Sequence, residues 1–362
     1  MNNYLAFLSV EAFMYYPFKF KPVYKDYIWG GRYFEKLGRA LPEGVVAESW
    51  EISSHKNGLS VIANGEYAGK TLTELIKSDS INVVGRKFPY GCSELPLLIK
   101  LIDANDKLSI QVHPDDNYAA VYENSFGKNE MWYIIDAKQG AKLVSGFKKD
   151  VTREKLFQAV RENRIEDYLL QVEVKPGDVI NIPAGIVHSI GEGIVIVEIQ
   201  QPSDITYRVF DYNRVDKNGV ERQLHLDKAL DVINFENQGR NIKCEGVKVK
   251  VNDTCSKTIF VANRYFACER YELTGEVKEK CDGNKFYIYV FTEGDGIIQT
   301  GNIKVKVKAG ETVFLPAALG EYIISGKLQT LKIYIPDFIS DIVDPMRAAG
   351  CSNSEIYKVL SC

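Results

Sequence analysis

The residues with the clearest chemical potential lie in three separate stretches of the chain. Gln111 and His113 are two apart in LSIQVHPDD, so on a strand their side chains point to the same face. Glu130 opens the next apolar run, in KNEMWYII, and His188 ends GDVINIPAGIVH. In an antiparallel barrel these segments can be neighbours, and their inward faces would then surround one point. Two imidazoles, one carboxylate and one amide oxygen suit Zn²⁺ or another borderline divalent ion.

A purely structural interpretation of the same residues remains open. His113 and His188 would then be core histidines with satisfied hydrogen bonds. The combination of a Gln-x-His pair, a downstream glutamate and a Pro-x-Gly-x-x-His turn favours the metal site over that interpretation. The chain has only four histidines, and His55 and His225 carry no paired ligand motif.

Short β-patterned runs would have to position these ligands. Gly, Pro, Asn and Asp cluster between the runs, a pattern typical of an antiparallel sandwich or barrel and therefore of a mainly β fold. Helical periodicity is limited to residues 72–76, residues 226–235 and an amphipathic insertion over 150–171. The predicted strands are 108–112, 131–135, 179–182, 194–199, 286–291, 312–315 and 331–335.

One internal repeat is visible. Residues 177–188 read GDVINIPAGIVH and residues 310–321 read GETVFLPAALGE, each a glycine, five residues, a proline and a turn. A strand that enters a proline turn at the mouth of a barrel explains this frame. In the second copy Ala318 replaces the turn glycine and Glu321 replaces the histidine. We interpret the repeat as two similar barrels, of which the second is degenerate; chance similarity between two strand-turn units is the alternative.

Composition narrows the classes of function. The formal net charge of −3 over 362 residues argues against a general nucleic-acid or membrane-surface role, which usually needs a concentrated basic face. No apolar run reaches the roughly 20 residues that span a bilayer. The seven cysteines are widely spaced and form no C-x-x-C, which predicts reduced thiols in a cytoplasmic protein. We expect residues 1–15 to be an extension outside the folded unit.

Several of these stretches carry a family resemblance. The stretch ending at His188 resembles the second cupin motif, and Gln111 stands where the first cupin motif has its first histidine. QVHPDD, KNEMWYI and QQPSDITYRVFDYNR together resemble the type I phosphomannose isomerase family in its shorter form, as do YIWGGR and ESWEIS. The resemblance implies two cupin-like jelly-roll barrels. The first would be a metal-bearing domain over 16–240 with the helical insertion at 150–171, and the second a degenerate domain over 241–362.

The resemblance also implies an activity and a cofactor. It implies one zinc ion per chain, held by Gln111, His113, Glu130 and His188. The expected reaction interconverts mannose 6-phosphate and fructose 6-phosphate through an enediol, so the small-molecule partner is a sugar phosphate. This chemistry needs a base, stabilisation of charge on O1 or O2, and a grip on the phosphate. A monomer and a homodimer both remain open.

Three basic residues are candidates for those tasks. Lys128 would share the face of Glu130 on an extended segment and is a candidate base; the alternative is an exposed hairpin lysine. Arg208 matches the family's active-site arginine and could hold charge on O1 or O2, or the phosphate, rather than form a surface ion pair. Arg214 stands where relatives carry a basic residue assigned to phosphate.

Four further residues resemble substrate-contacting or cavity positions. Ser109 shares the strand parity of Gln111, and Lys100 ends the apolar run LPLLIK. Glu48 is a second candidate acid or base, and Trp29 is a candidate cavity wall. The alternatives are a lysine that snorkels at a sheet edge, a surface carboxylate and a core aromatic residue.

Two other functions use the same residues. His113, Glu130 and His188 could form the two-histidine, one-carboxylate triad of a non-haem Fe(II) cupin oxygenase. The chain could also be a non-catalytic sugar-binding cupin. The presence of Lys128 and Arg208 favours a polyhydroxylated anion as substrate and therefore the isomerase.

Overall fold

The computed structural model describes residues 15–88, 93–215, 218–236, 238–239 and 243–362. The extension predicted over 1–15 lies outside the described residues except for Tyr15, whose ring stacks on that of Tyr67. Below, residues up to 239 are called the N-terminal region and residues from 243 onward the C-terminal region.

The N-terminal region is built mainly from short strands, as its alternation of apolar runs and turn residues predicts. These strands are β1 Phe18–Lys21, β2 Val23–Lys25, β3 Glu48–Ile52, β4 Val61–Ile62, β5 Leu98–Ala104, β6 Ile110–Val112, β7 Glu130–Ala137, β8 Lys142–Phe147, β9 Leu169–Glu173, β10 Val179–Ile182, β11 His188–Ser189, β12 Ile194–Gln200 and β13 Tyr207–Phe210.

The C-terminal region has longer strands. These are β14 Val247–Asn252, β15 Cys255–Ala262, β16 Ala267–Leu273, β17 Glu276–Cys281, β18 Tyr287–Thr300, β19 Ile303–Lys308, β20 Thr312–Leu315 and β21 Gly320–Tyr334. Each strand predicted from sequence is present, so the mainly β fold class is confirmed.

Helices are short and lie mostly between strand groups. They are α1 Leu72–Val83, α2 Asp116–Tyr122, α3 Arg153–Arg161, α4 Leu226–Val232, α5 Asp344–Ala348 and α6 Asn353–Leu360. The chain also makes 3₁₀ turns at Tyr33–Leu37 and Ile165–Tyr168 and a π-helical turn at Phe338–Val343. None of the described helices is long and apolar enough to span a bilayer.

Two antiparallel sheets of the N-terminal region enclose the site. The first has the strand order β10-β7-β12-β5-β3-β2 and the second the order β13-β6-β11-β8-β9. Apolar side chains from both sheets share one buried cluster, in which Ile102, Trp132 and Ile196 of the first sheet pack with Leu143 of the second. Residues of both sheets, among them Lys100 of the first and Gln111 of the second, line one cavity beside the predicted ligands.

A third sheet holds all the C-terminal strands together with two strands of the N-terminal region. β1 pairs with β20, with Phe18 opposite Phe314, and β4 continues the sheet beside β1. The C-terminal sheet is therefore completed by the start of the chain. The division into domains near residue 240 stays a prediction, as does the count of two barrels.

Both copies of the sequence repeat form a strand followed by a turn. Gly177 precedes β10 and Gly310 precedes β20, each with a positive φ (88° and 81°) that favours glycine. The turn after β10 contains Gly185 (φ 86°) and leads to His188, whereas Glu321 at the matching position of the second copy is exposed. The repeat thus recurs as local structure, with a ligand in the first copy alone.

Six side chains of the C-terminal region form a buried or nearly buried set that we call the C-terminal charged cluster. Its members are Lys257, Glu269, Tyr271, Glu279, Lys332 and Tyr334. The Glu279 carboxylate accepts from the Tyr271 hydroxyl at 2.7 Å and from the Lys332 ammonium at 2.8 Å. The Glu269 carboxylate accepts from the Tyr334 hydroxyl at 2.7 Å and from Lys257 at 3.0 Å. Each carboxylate oxygen in the cluster therefore has a donor.

The predicted helical insertion over 150–171 is shorter than expected. Its helix covers only Arg153–Arg161, capped by the Thr152 side chain, and Leu169 to Gln171 belong to β9. Asn163 has a positive φ of 56°, which ends the helix and turns the chain into the 3₁₀ segment. Apolar residues spaced three to five apart continue beyond the end of the helix, so periodicity alone does not show where the helix ends.

The prediction that the cysteines are reduced is wrong for one pair. Cys244 and Cys362 form a disulfide bond across 118 residues, with a Cα–Cα distance of 5.8 Å. α6 packs on β14 and β15 and carries the C-terminus to the chain just before β14, a proximity that sequence spacing does not indicate. Cys255, Cys268, Cys281 and Cys351 are free, and Cys92 lies outside the described residues.

Candidate metal centre and its cavity

Strand pairing brings the predicted metal ligands together. His188 in β11 lies opposite Gln111 in β6, and Glu130 opens β7 opposite Ile182 at the end of β10. His113 directly follows β6. The ligand atoms of His113, Glu130 and His188, which we call the ligand triad, lie within 4.8 Å of one another and all three side chains are buried.

The two histidines of the triad are held in one tautomer. The Nδ1–H of His113 donates to the Ile205 carbonyl and that of His188 to the Ile186 carbonyl, both at 2.8 Å. Each Nε2 therefore presents a lone pair to the centre, 3.5 and 3.4 Å from the two oxygens of Glu130. Burial lowers the pKa of His113 well below its usual value and that of His188 to about 4. Both imidazoles are thus neutral near pH 7, the form that binds metal.

The Glu130 carboxylate lacks the hydrogen bonds that a buried charge requires. The side chain is fully buried, and among the described residues neither oxygen has a hydrogen-bond partner of normal geometry. The Lys128 ammonium lies 3.0 Å from Oε2 and 3.0 Å from His113 Nε2. Burial and the nearby Glu198 raise the pKa of Glu130. One ammonium does not supply a partner for both carboxylate oxygens and both imidazole lone pairs, so the residues fit a divalent metal ion.

Gln111 lies beside the triad as predicted. Its Oε1 accepts from the Ser109 hydroxyl at 3.1 Å, and its Nε2 is 3.4 Å from His188 Nε2. A rotation of the amide by 180° would direct the oxygen toward the centre, and Ser109 could then accept from the amide nitrogen. Gln111 can therefore supply a fourth, neutral ligand.

A cavity of about 260 Å³ opens above the triad. The sequence-predicted residues that line it are Trp29, Glu48, Lys100, Ser109, Gln111, Lys128, His188 and Arg208. The structure thus brings eight of the eleven predicted site residues to the cavity wall. His113 and Glu130 lie in the ligand triad itself.

The inner wall of the cavity carries a buried ion-pair network. The register of β5 against β12 sets Lys100 opposite Glu198, and their charged groups are 3.0 Å apart. Glu48 lies 3.6 Å from the same ammonium and accepts from the Trp50 indole at 2.7 Å. Trp132 donates to Glu198 at 3.1 Å. Lys100 is therefore a cavity cation, and it does not snorkel at an edge.

The charges of this network stabilise one another. Burial favours the neutral form of each group, but Lys100 and Lys128 lower the pKa of Glu198. Burial opposes the charge of Lys100 too, while Glu198 and Glu48 raise its pKa. Lys100 and Glu198 are consequently both ionised near neutral pH, which leaves a fixed ammonium beside the ligand triad.

A second positive group lies at the mouth of the cavity. The Arg208 guanidinium donates from Nε to Ser109 at 3.3 Å and from Nη1 to the Gln223 carbonyl at 2.9 Å. Burial and then the neighbouring Arg222 lower the pKa of Arg208. Arg222 lines the same cavity and is anchored through its Nε to Asp211 at 2.7 Å. Two guanidinium groups thus face one end of the cavity.

The structure does not bring Arg214 to the cavity. Its guanidinium bonds Asp211 at 2.7 Å and the Lys107 carbonyl at 2.6 Å, behind the carboxylate that holds Arg222. The chain turns after β13 through Tyr212 and Asn213, both with positive φ. That turn separates Arg214 from Arg208, although the two are only six residues apart.

The cavity residues that escaped sequence reasoning include Trp132, Glu198, Arg222 and His225. The sequence did contain a signal for Glu198, because it is the only charged residue in the run IVIVEIQ. Every residue of that run is buried in the structure. Arg222 and His225 come from the loop after β13, which carries no distinctive motif. His225 is held there by an Nδ1 that accepts from the Arg208 backbone N–H at 3.3 Å.

Two family models match the chain. The model of the type I phosphomannose isomerase catalytic domain matches residues 17–129, and the model of the mannose-6-phosphate isomerase cupin domain matches residues 256–335. The first match includes Gln111, His113 and Lys128, and the second covers most of the C-terminal sheet.

Similar proteins extend these matches over most of the chain. The Bacillus subtilis mannose-6-phosphate isomerase ManA is 36% identical over 325 residues, which are 88% of this chain and 99% of that protein. A Streptococcus mutans mannose-6-phosphate isomerase is 34% identical, over 84% of this chain and 93% of its own length. The crystal structure of mannose 6-phosphate isomerase from Bacillus subtilis aligns with a TM-score of 0.81 at 33% identity, over 88% and 99% of the two chains.

Proposed function

This chain belongs to the type I phosphomannose isomerase family, and we propose that it interconverts mannose 6-phosphate and fructose 6-phosphate. The observation that carries the proposal is the buried His-Glu-His triad at the floor of a cavity whose wall holds fixed cations. A polyhydroxylated dianion matches such a cavity in charge and polarity. Relatives of that activity, at 34% to 36% identity over more than four fifths of the chain, support it.

We further propose that the metal is zinc, one ion per chain, held by Gln111, His113, Glu130 and His188. Nitrogen and oxygen donors in this ratio suit zinc, and an amide oxygen is a weak ligand that substrate can accompany or displace. With one carboxylate ligand the site keeps a formal charge of +2 − 1 = +1. When bound, zinc supplies a Lewis-acid charge close to the reacting sugar oxygens.

Lys128 is the proposed base. It lines the cavity, is buried, and lies beside the triad. The amine takes the proton from C2 of the open-chain aldose and returns it to C1 of the enediol, while the proton of the O2 hydroxyl passes to O1, which gives the ketose. Lys100, held by Glu198, stabilises the negative charge that develops on the oxygens.

The remaining cavity residues recognise the substrate. Arg208 and Arg222 hold the phosphate, because guanidinium groups match phosphate oxygens in pairs. Ser109 orients Arg208, and Glu48 can accept from a sugar hydroxyl. Trp29 forms part of the wall that excludes water.

Two other functions remain as outcomes to test. An Fe(II) oxygenase would share the triad, but oxygen chemistry gives no role to two guanidinium groups and a buried ammonium around the cavity. Stoichiometric iron with oxygen-dependent activity would favour that function. A sugar-binding protein without turnover would bind mannose 6-phosphate in the presence of zinc and release it unchanged.

A coupled assay tests the proposal. Purified protein is given mannose 6-phosphate, and fructose 6-phosphate is followed through glucose-6-phosphate isomerase and dehydrogenase. We expect turnover that a chelator removes and added zinc restores, and no turnover of unphosphorylated mannose. Absence of turnover by zinc-loaded protein would reject the isomerase.

A further inference from the structure

Two of the three segments that carry the ligand triad are joined by one amide side chain. Asn129, next to Glu130, donates from Nδ2 to Gln201 Oε1 at 2.7 Å, and its backbone N–H donates to the same oxygen at 2.9 Å. Its Oδ1 accepts from the Ala184 N–H at 3.1 Å. Ala184 belongs to the turn that leads to His188. The position of Glu130 is thereby tied to that of His188.

Gln201 extends this connection to the third ligand segment. The side chain is buried just after β12, and its Nε2 donates to Asp116 Oδ1 at 2.9 Å. The same oxygen accepts from the Gly127 N–H at 3.0 Å. Asp116 lies three residues after His113. A side chain at position 127 would meet the backbone of residues 115 and 116 at about 2.5 Å, so the two segments are in close backbone contact.

The other oxygen of Asp116 faces the C-terminal region. It accepts from the Tyr265 hydroxyl at 2.7 Å and lies 3.3 Å from the Arg264 guanidinium. Tyr265 is in the turn between β15 and β16, which Asn263 fixes by accepting from its backbone N–H at 2.8 Å. One carboxylate therefore links the C-terminal sheet to the segments around the metal centre.

We propose that Asp116, Asn129, Gln201 and Tyr265 form a positioning clamp that sets the spacing of the triad. The clamp rests on the proposed metal site but not on the identity of the reaction. Groups that orient metal ligands from outside typically contribute 10–100-fold to metal affinity or activity, because they fix ligand spacing before the ion binds. The clamp also assigns a role to the C-terminal region, which contributes no residue to the cavity lining: it anchors the clamp through Tyr265.

Two variants break the clamp at different distances from the metal. Gln201→Glu keeps the acceptor for Asn129 but removes the donor to Asp116. Tyr265→Phe removes only the hydroxyl of the C-terminal region. The matched control is Tyr334→Phe, which removes an equivalent tyrosine-to-carboxylate bond of 2.7 Å, to Glu269, inside the C-terminal charged cluster.

The readout is zinc affinity, measured by competition with a chromogenic chelator, alongside kcat and KM for mannose 6-phosphate. We expect zinc affinity to fall roughly 10–100-fold in Gln201→Glu and roughly 3–10-fold in Tyr265→Phe, with KM unchanged at saturating zinc. Tyr334→Phe should bind zinc as the unmodified protein does. Adding Asp116→Asn to Gln201→Glu restores an amide-to-carboxylate pair and should recover part of the affinity.

Zinc affinities within twofold of the unmodified protein in both clamp variants would overturn the proposal. An equal loss in Tyr334→Phe would also overturn it, since the effect would then be general destabilisation. Failure of the proposed function is distinguishable, because it leaves the unmodified protein binding zinc without turning over mannose 6-phosphate.

Discussion

Two buried groups of charges in this chain have opposite organisation. In the C-terminal charged cluster every carboxylate oxygen has a donor, as Glu279 has in Tyr271 and Lys332. In the ligand triad the two oxygens of Glu130 lack a normal hydrogen bond, and both imidazoles present lone pairs to the same point. The first arrangement is complete in itself and stabilises the fold. The second has only the Lys128 ammonium beside it and leaves lone pairs that a metal ion can fill. Both groups are buried and charged, so these two properties do not distinguish them. Their hydrogen-bond partners do.

The largest expected effect is a loss of zinc binding in a variant of the ligand triad, compared with a variant of the C-terminal region. His188→Ala should lose zinc and lower turnover by at least about 10³-fold, because it removes a ligand and its lone pair. Tyr322→Phe, which removes a buried hydroxyl 2.8 Å from that of Tyr289 in the C-terminal region, is the control. Metal analysis and the coupled assay measure both. Full activity in His188→Ala would show that the triad is not a metal site.

A matched pair of glutamate variants tests the same difference by stability. Glu279→Gln should lower the unfolding free energy by about 3 kcal/mol, since it leaves the buried Lys332 ammonium unpaired. Glu130→Gln should leave the stability of metal-free protein unchanged or higher, but remove zinc binding. Urea unfolding of the chelated proteins provides the measurement. Equal losses in the two variants would mean that Glu130 is a structural residue like Glu279.

A cation of the cavity can be compared with a cation of the C-terminal charged cluster. Arg208→Ala should retain zinc and lower turnover by about 10²-fold, because the cavity loses a guanidinium from its lining. Lys257→Ala, which removes the partner of Glu269, should lower stability without changing kcat. Zinc content and steady-state kinetics of both variants test these expectations. Near-normal turnover in Arg208→Ala would exclude it from the site.

The smallest expected effect concerns the pH dependence of folding stability. The contributions of Glu130 and Glu279 should change with pH in opposite directions. The pKa of Glu130 is raised in the folded metal-free protein, so its contribution to stability is present below pH 4.5 and is lost as pH rises through the raised pKa. The pKa of Glu279 is lowered, so its contribution is present above pH 4.5 and is lost as pH falls. Each unit of difference from the unfolded value is worth about 1.4 kcal/mol.

Unfolding of the two glutamine variants between pH 4 and 8 measures these slopes. Relative to unmodified protein, Glu130→Gln should gain stability as pH rises and Glu279→Gln should regain it as pH falls. Slopes of the same sign would contradict the contrast between the two groups.

The sequence predicted that the residues of the ligand triad converge, because these residues carry local signals. Gln111 and His113 share a face through strand periodicity, and His188 ends a turn whose proline and glycine mark it. The strands themselves were predictable for the same reason, since alternation and turn residues are short-range properties.

Features that depend on how distant strands align were not predictable. The pairing of Lys100 with Glu198 requires the register of β5 against β12, and that of Cys244 with Cys362 requires the position of the last helix. Arg214 was a candidate for phosphate binding because relatives carry a basic residue at its place, but a turn through two positive-φ residues directs it away from the cavity. Family resemblance predicts which residue type occupies a position, whereas backbone turns determine where its side chain lies.

The most direct test of the central claim is an anomalous diffraction measurement at the zinc edge on crystals of the zinc-loaded protein. We expect one peak per chain, about 2.0–2.2 Å from His113 Nε2, His188 Nε2 and a carboxylate oxygen of Glu130. A zinc-loaded crystal with no peak between these three side chains, or with its only peak elsewhere, would contradict the account.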